Sequence, residues 1–267
     1  MADMADFSEF KFTYEGSTRP VYVQGSGPAV VLLHELPGMI PQCVDLGRSI
    51  ARAGFTVFLP LLFGKPNQPF DSPPTAGEVA QTLGFAVRLC ISREFYCFAK
   101  REASPITEWL RALCREAYAR CDRRGVGVIG MCLTGGFALP LMVDEVIMAP
   151  VLSQPSLPFP VTSEHKAALG LSPATLEQAK QRAREGVSPL GFRFTNDNTC
   201  PAERFHTLRR EFGDAIELIE IDSSPGNAHH IPENAHSVLT VHFVDQPDHP
   251  TRQARDRLLA FLQERLC

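Results

Sequence analysis

The run Ala29-Val-Val-Leu-Leu-His34 is the feature that most narrows the fold. A strand with one wet face alternates apolar and polar residues, whereas an unbroken apolar run needs cover on both faces, as in a largely parallel sheet flanked by helices. A helical pattern over 42–53, closed by Gly54, and a short strand over 56–59 follow it. Strand, helix and strand in that order form the β-α-β unit of a doubly wound α/β architecture. Upstream, residues 10–14 and 20–24 alternate across a Gly/Ser/Thr turn, which predicts an N-terminal hairpin. A chain of 267 residues can close one core, burying roughly three quarters of its unfolded surface, so a single domain over 1–267 is expected.

Residues 60–75 hold five prolines, more than a compact connection needs, and predict a long ordered loop or lid within 60–103. The pattern over 76–103 is not legible. Ser104-Pro105 then opens a helix whose apolar face is Ile106, Trp109, Leu110, Leu113, Cys114 and Ala117. Further strands are expected at 126–130, 146–152, 190–196 and 216–221, and helices near 175–185, 201–212 and 251–266.

Composition removes several classes of function. Hydrophobic residues make up 44% and charged residues 21%, the balance of a globular protein. The net charge of -4 is spread without a basic block, so no phosphate-neutralising patch for nucleic acid is present. The acidic N-terminus lacks an apolar signal core, and no apolar run approaches the ~18 residues of a membrane span. A soluble, cytoplasmic protein is expected. Its eight cysteines include no C-x-x-C pair and mostly read as small buried hydrophobes.

One cysteine stands apart. The strand at 126–130 runs into Gly130-Met131-Cys132-Leu133-Thr134-Gly135-Gly136, and an apolar helical segment follows. Small residues around a reactive side chain at a strand-to-helix turn form a nucleophile elbow, which lifts that side chain above the sheet. A helix N-terminus beneath Cys132 favours its thiolate, and the Leu133 N–H becomes one oxyanion donor. The competing reading is a buried cysteine on a glycine-rich turn. A nucleophile needs a base, and the base an orienting acid. Asp197 follows the strand at 190–196, and the loop over 222–235 delivers His236, giving the order nucleophile, acid, histidine. His229 and His230, in the same loop, are rival bases, and Asp197 could instead serve only as a turn residue.

These segments together resemble the dienelactone hydrolase family of the α/β-hydrolase fold, with a mostly parallel central sheet and helices on both faces. The resemblance rests on Val30-Val-Leu-Leu-His34-Glu35-Leu36-Pro37-Gly38, on Gly130-x-Cys132 with Gly135-Gly136, on Asp197-x-x-x-Pro201 and on Ala235-His236-Ser237, and extends from about residue 20 to the C-terminus. It implies that Glu35 contacts the thiol at rest until substrate alters that contact, and that Leu36 supplies the second oxyanion N–H. A salt-bridged strand-end carboxylate is the plainer reading of Glu35, and His34 reads as a packing residue. Two positions depart from the family pattern. Thr134 stands where the elbow usually has glycine, and Thr240 stands four after the histidine, where dienelactone hydrolases proper carry an arginine that holds the glutamate and the substrate carboxylate. Arg88 and Arg93 are alternative anion ligands or simply solvated side chains.

The resulting expectation is hydrolysis of a small ester or lactone through an acyl-Cys132 intermediate, without metal or organic cofactor. A zinc site from His229, His230, His236 and His242 lacks the tight spacing such sites use. A non-catalytic binding or regulatory module on the same scaffold is the alternative, since fold alone does not establish catalysis. The natural substrate and the oligomeric state are left open by the sequence.

Overall fold

A computed structural model describes residues 4–67, 105–121 and 124–267. Most of the expected lid, with Arg88 and Arg93, lies outside the described residues.

The N-terminal hairpin pairs β1 (Ser8–Tyr14) with β2 (Ser17–Gly25). Its two-residue turn, Glu15-Gly16, has positive φ at both positions, the backbone twist that matches two antiparallel strands. β2 runs antiparallel to β4 (Thr56–Pro60), and from there every neighbour is parallel. The order is β1-β2-β4-β3-β5-β6-β7-β8, with β3 (Ala29–Leu33), β5 (Val126–Met131), β6 (Ile147–Ser153), β7 (Leu190–Phe194) and β8 (Glu217–Ile221).

All five β3 residues are buried, as the apolar run requires, and they divide by parity. Val31 and Leu33 face a core built with α2 (Pro105–Arg120), α5 (Pro173–Arg184) and α6 (Ala202–Phe212). Val30 and Leu32 face the opposite core, filled by α1 (Pro41–Arg52) and α7 (Pro250–Leu266). The side-chain period of two along a strand thus fills both layers from one sequence run. Four of these helices, α1, α2, α5 and α7, begin on proline, whose fixed φ suits the first turn and whose missing N–H leaves no donor unpaired. The architecture is the α/β-hydrolase fold anticipated above. No helix of the described residues is long and apolar enough to cross a membrane.

Two local expectations are modified. After Cys132 the chain forms a 3₁₀ turn over Cys132–Phe137 and then only the one-turn helix α3 (Ala138–Leu141) as the expected apolar helical segment. Gly135 and Gly136 are poor helix formers, so the dipole beneath Cys132 is that of a short turn. The short helix α4 (Ser163–Ala167), capped by Thr162, lies in a stretch the sequence left unread.

Strand order fixes where chemistry can occur. The chain leaves β3 for β4 on one side, while β5 pairs with β3 on the other, so the crevice at the carboxyl ends of β3 and β5 is a topological switch point.

Candidate active site

Every side chain singled out by the catalytic reading follows the carboxyl end of a strand. Glu35 lies two residues beyond β3, Cys132 directly after β5, Asp197 three residues after β7, and His236 in the loop following β8. Cys132 has φ 51°, in the left-handed region, which costs a non-glycine residue about 1–3 kcal/mol and persists only where neighbours fix it. Those neighbours are visible. A Cβ at Gly130 would collide with the Thr134 carbonyl oxygen, and one at Gly135 would come within 2.7 Å of Pro155 Cα. Thr134 is buried, and its Oγ1 accepts the Met131 N–H at 3.0 Å. Its single proton has three carbonyl acceptors in reach, Met131 at 2.9 Å and Leu33 and His34 at 3.2 Å each. The departure from glycine therefore binds the elbow to the end of β3. The close approach that needs a bare Cα falls one residue later, at Gly135.

His236 Nδ1 lies 2.6 Å from Asp197 Oδ2. The other carboxylate oxygen, Oδ1, accepts the Thr199 hydroxyl at 2.7 Å and the N–H groups of Thr199 and Cys200 at 2.8 and 3.1 Å. Burial opposes the Asp197 charge, but the bonds to His236 and Thr199 outweigh it and hold the carboxyl below its ordinary range. Burial likewise opposes the His236 charge. Hydrogen bonds to Asp197 and Cys132, with the charges of both partners, overcome it and raise the imidazole to about 10. His229 and His230 are exposed, and the imidazole bonded to Asp197 is that of His236. The His236 loop is itself fixed: His242 Nδ1 accepts the N–H groups of His236 and Ser237 at 3.4 and 3.2 Å.

Glu35 is fully enclosed. Oε2 accepts the Ser237 hydroxyl at 2.6 Å and the Gln154 amide at 3.2 Å, while Oε1 accepts the Thr240 hydroxyl. Burial pushes its carboxyl up, against the pull of those donors and of His236. The plainer reading, a salt-bridged strand-end carboxylate, is not what these contacts describe. Thr240 occupies the arginine position and still holds the glutamate, with a neutral hydroxyl. His34 packs edge-on to Phe63 and accepts the Leu62 N–H on Nε2 at 3.0 Å. Burial lowers it to about 4, so it is a neutral packing residue.

Ligand-type atoms of Glu35, Cys132 and His236 lie within 4.8 Å of one another. Both Glu35 oxygens already accept hydrogen bonds, from Ser237, Gln154 and Thr240. The four histidines considered for zinc form no such group among the described residues.

Sequence reasoning missed the loop after β6. Gln154 (φ 34°) reaches Glu35, and Ser156 lies against both Cys132 and His236. Polar residues interrupting the apolar stretch over 151–159 were the available signal. Arg204, buried in α6, holds this loop by donating to the carbonyls of Pro155, Pro158, His165 and Ala168.

The sequence model of the dienelactone hydrolase family matches residues 17–264. The chain belongs to that family. Membership makes it a hydrolase. No curated protein matches its sequence. Among solved structures, a protein assigned as a dienelactone hydrolase from Klebsiella pneumoniae is 17% identical, with 97% of this chain and 98% of that chain covered and a TM-score of 0.61. A dienelactone hydrolase-like promiscuous phosphotriesterase from metagenomic libraries is 14% identical over 98% of each chain, with a TM-score of 0.57. Esterase 2 of Thermogutta terrifontis, in a form phosphoramylated by tabun, is 14% identical over 98% of this chain and 96% of that one, with a TM-score of 0.56. At these identities the three establish likeness of fold.

Proposed function

We propose that this family member hydrolyses a small carboxylic ester or lactone, with Cys132 as nucleophile, His236 as general base and acid, and Asp197 orienting the imidazole. The observation that carries this reading is a cysteine on a strained elbow facing an imidazole whose far nitrogen is 2.6 Å from a buried carboxylate. Cys132 sulfur attacks the carbonyl carbon, and the Leu36 and Leu133 N–H groups receive the oxyanion. While the sulfur is anionic, its charge and hydrogen bond help keep His236 protonated. Forming the S–C bond removes both contributions, so the imidazolium becomes more acidic as the leaving oxygen needs its proton. Neutral His236 then takes a proton from water, which attacks the thioester and returns free enzyme.

Glu35 serves in this reading as a buried anchor that gathers Gln154, Ser237 and Thr240 beside Cys132 and His236. Its three donors hold it in place, so release of the thiol by a swinging carboxylate is a smaller part of the cycle than the family resemblance suggested. Thr240 offers no positive charge to a substrate carboxylate, which favours a neutral ester or lactone over a dienelactone acid. We read the chain as one α/β-hydrolase domain acting in the cytoplasm, where a reducing environment preserves a reactive thiol.

The test is turnover of a panel of neutral and anionic lactones and chromogenic acetates by wild type and Cys132→Ala, with mass spectrometry of the quenched reaction. A Cys132-dependent burst and an acyl adduct on the peptide carrying residue 132 are expected. Equal turnover by both proteins would overturn the cysteine mechanism. No turnover and no adduct across the panel would favour the binding-module alternative.

A further inference from the structure

Ser156 is a polar group at the reacting atoms that the triad does not account for. Its hydroxyl is 3.6 Å from Cys132 Sγ and 3.4 Å from His236 Nε2, and it is almost fully buried. The placement is built. The Ser156 N–H donates to the Cys132 carbonyl at 2.9 Å, which ties the loop after β6 to the elbow itself. The carbonyls on either side, of Pro155 and Pro158, are held at 2.6 and 2.5 Å by the guanidinium of Arg204. On the opposite side Gly135 packs so closely on Pro155 that a methyl group would not fit.

We propose that Ser156 is a further catalytic residue, whose hydroxyl bridges the cysteine and the histidine by donating to the Cys132 sulfur and sharing with that sulfur the single His236 Nε2–H. This rests on the cysteine mechanism proposed above. The hydroxyl has one proton and a competing acceptor, the Gln154 carbonyl at 3.1 Å. A hydrogen bond to an anion is roughly twice as strong as one to a neutral acceptor, so ionisation of the sulfur draws the proton to Sγ. The oxygen lone pairs then face the imidazolium. Both charges are stabilised by one neutral group, which neither gains nor loses a proton in the cycle. When the sulfur becomes acylated the hydroxyl can return to Gln154, freeing Nε2 for the leaving oxygen. The titratable groups around the bridge are Cys132, His236, Asp197 and Glu35, with His242 beside His236, Arg204 behind the loop and Cys200 beside Asp197.

The test is the rate of alkylation of Cys132 by iodoacetamide in wild type, Ser156→Ala and Ser156→Thr, followed by peptide mass spectrometry at pH 6 and pH 9.5. Alanine keeps the main-chain N–H, so the variant removes the hydroxyl alone. The expected result is a loss of about tenfold at pH 6 in Ser156→Ala, with little change at pH 9.5. The thermal midpoint should stay near wild type, and Ser156→Thr should recover the rate at pH 6 wherever its own midpoint shows that the methyl group fits. Equal rates at both pH values would overturn the bridge. An equal loss at both would also overturn it, since that is the signature of a merely structural role. A wild type in which Cys132 reacts no faster than Cys121 or Cys267 would sink the cysteine mechanism first, a result distinct from either of those.

Discussion

The hydroxyl of Thr240, four residues beyond His236, donates to Glu35. A buried carboxylate is thereby kept by neutral donors, Thr240 with Ser237 and Gln154, near the Cys132 sulfur and the His236 ring. Thr240→Val preserves shape and removes one donor. An unsatisfied buried acceptor costs about 1–3 kcal/mol, more when charged, so urea denaturation at pH 7 should show at least that loss. Glu35→Gln, which leaves some donors facing an amide, should also lower kcat. Wild-type stability in Thr240→Val would mean that the hydroxyl is not a partner of the carboxylate.

The protonation of His236 gives a second expectation. Its imidazole stands at about 10 against an ordinary value of 6.5, raised by Asp197 and Cys132 over the opposing effect of burial. A group raised on folding stabilises fully below its unfolded value, and its contribution disappears as pH climbs through the folded one. The share due to His236 should therefore be complete below about pH 6.5 and lost towards pH 10. Ring-nitrogen NMR should find the His236 imidazolium still present at pH 9, while His242 and His249, both lowered by burial, are neutral by then. In Cys132→Ala the His236 midpoint should fall, because the contributions of sulfur vanish and those of Asp197 remain. An unchanged midpoint would show that the sulfur and the ring do not interact.

The elbow should resist even a methyl group. In Gly135→Ala the new Cβ would lie 2.7 Å from Pro155 Cα and 2.9 Å from the Ser153 carbonyl oxygen, both on the backbone, so no side chain can swing away. Overpacking of this kind costs about 1–3 kcal/mol. The displaced loop carries Ser156, so kcat/KM should fall further than stability alone requires. Crystal structures of the variant should show the strain as a shift between residues 135 and 155, and retention of both positions with full activity would count against the tight elbow.

How far the sequence reveals this arrangement depends on how local each signal is. The apolar run of β3 and the helix opened by Pro105 are contiguous patterns, and each appears where periodicity and turn chemistry predict it, while the Cys132 turn follows β5 as expected but continues as 3₁₀. Asp197 and His236 are legible through chain order, because the parallel strands deliver both to the same end of the sheet. Ser156, Gln154 and Arg204 are not. Their roles arise from contacts across many residues of chain, including Gln154 with Glu35 and Arg204 with Pro155, and no spacing rule marks them. Likewise the three donors that hold Glu35 become visible only once the loops after β6 and β8 are folded over the end of β3.

Arg204 carries the last prediction. Its guanidinium is buried in α6 and spends its N–H groups on four carbonyl oxygens, those of Ala168 at 3.0 Å, Pro155 at 2.6 Å, Pro158 at 2.5 Å and His165 at 2.8 Å. Burial lowers its affinity for the proton below that of an ordinary arginine, which is the cost of spending charge on neutral acceptors. The gain is a clamp: one planar fork fixes both ends of the segment over 155–168. Arg204→Ala takes the guanidinium donors from all four carbonyls, of which only that of His165 keeps another, the Ala168 N–H at 3.3 Å, and should cost about 3 kcal/mol or more. Arg204→Lys keeps the charge but cannot span the acceptors with a fork, so it should fall between alanine and wild type. Because Ser156 lies between two of the clamped carbonyls, kcat should drop in both variants at temperatures where they remain folded. Normal kcat in folded Arg204→Ala would mean that the loop keeps Ser156 in place without the guanidinium.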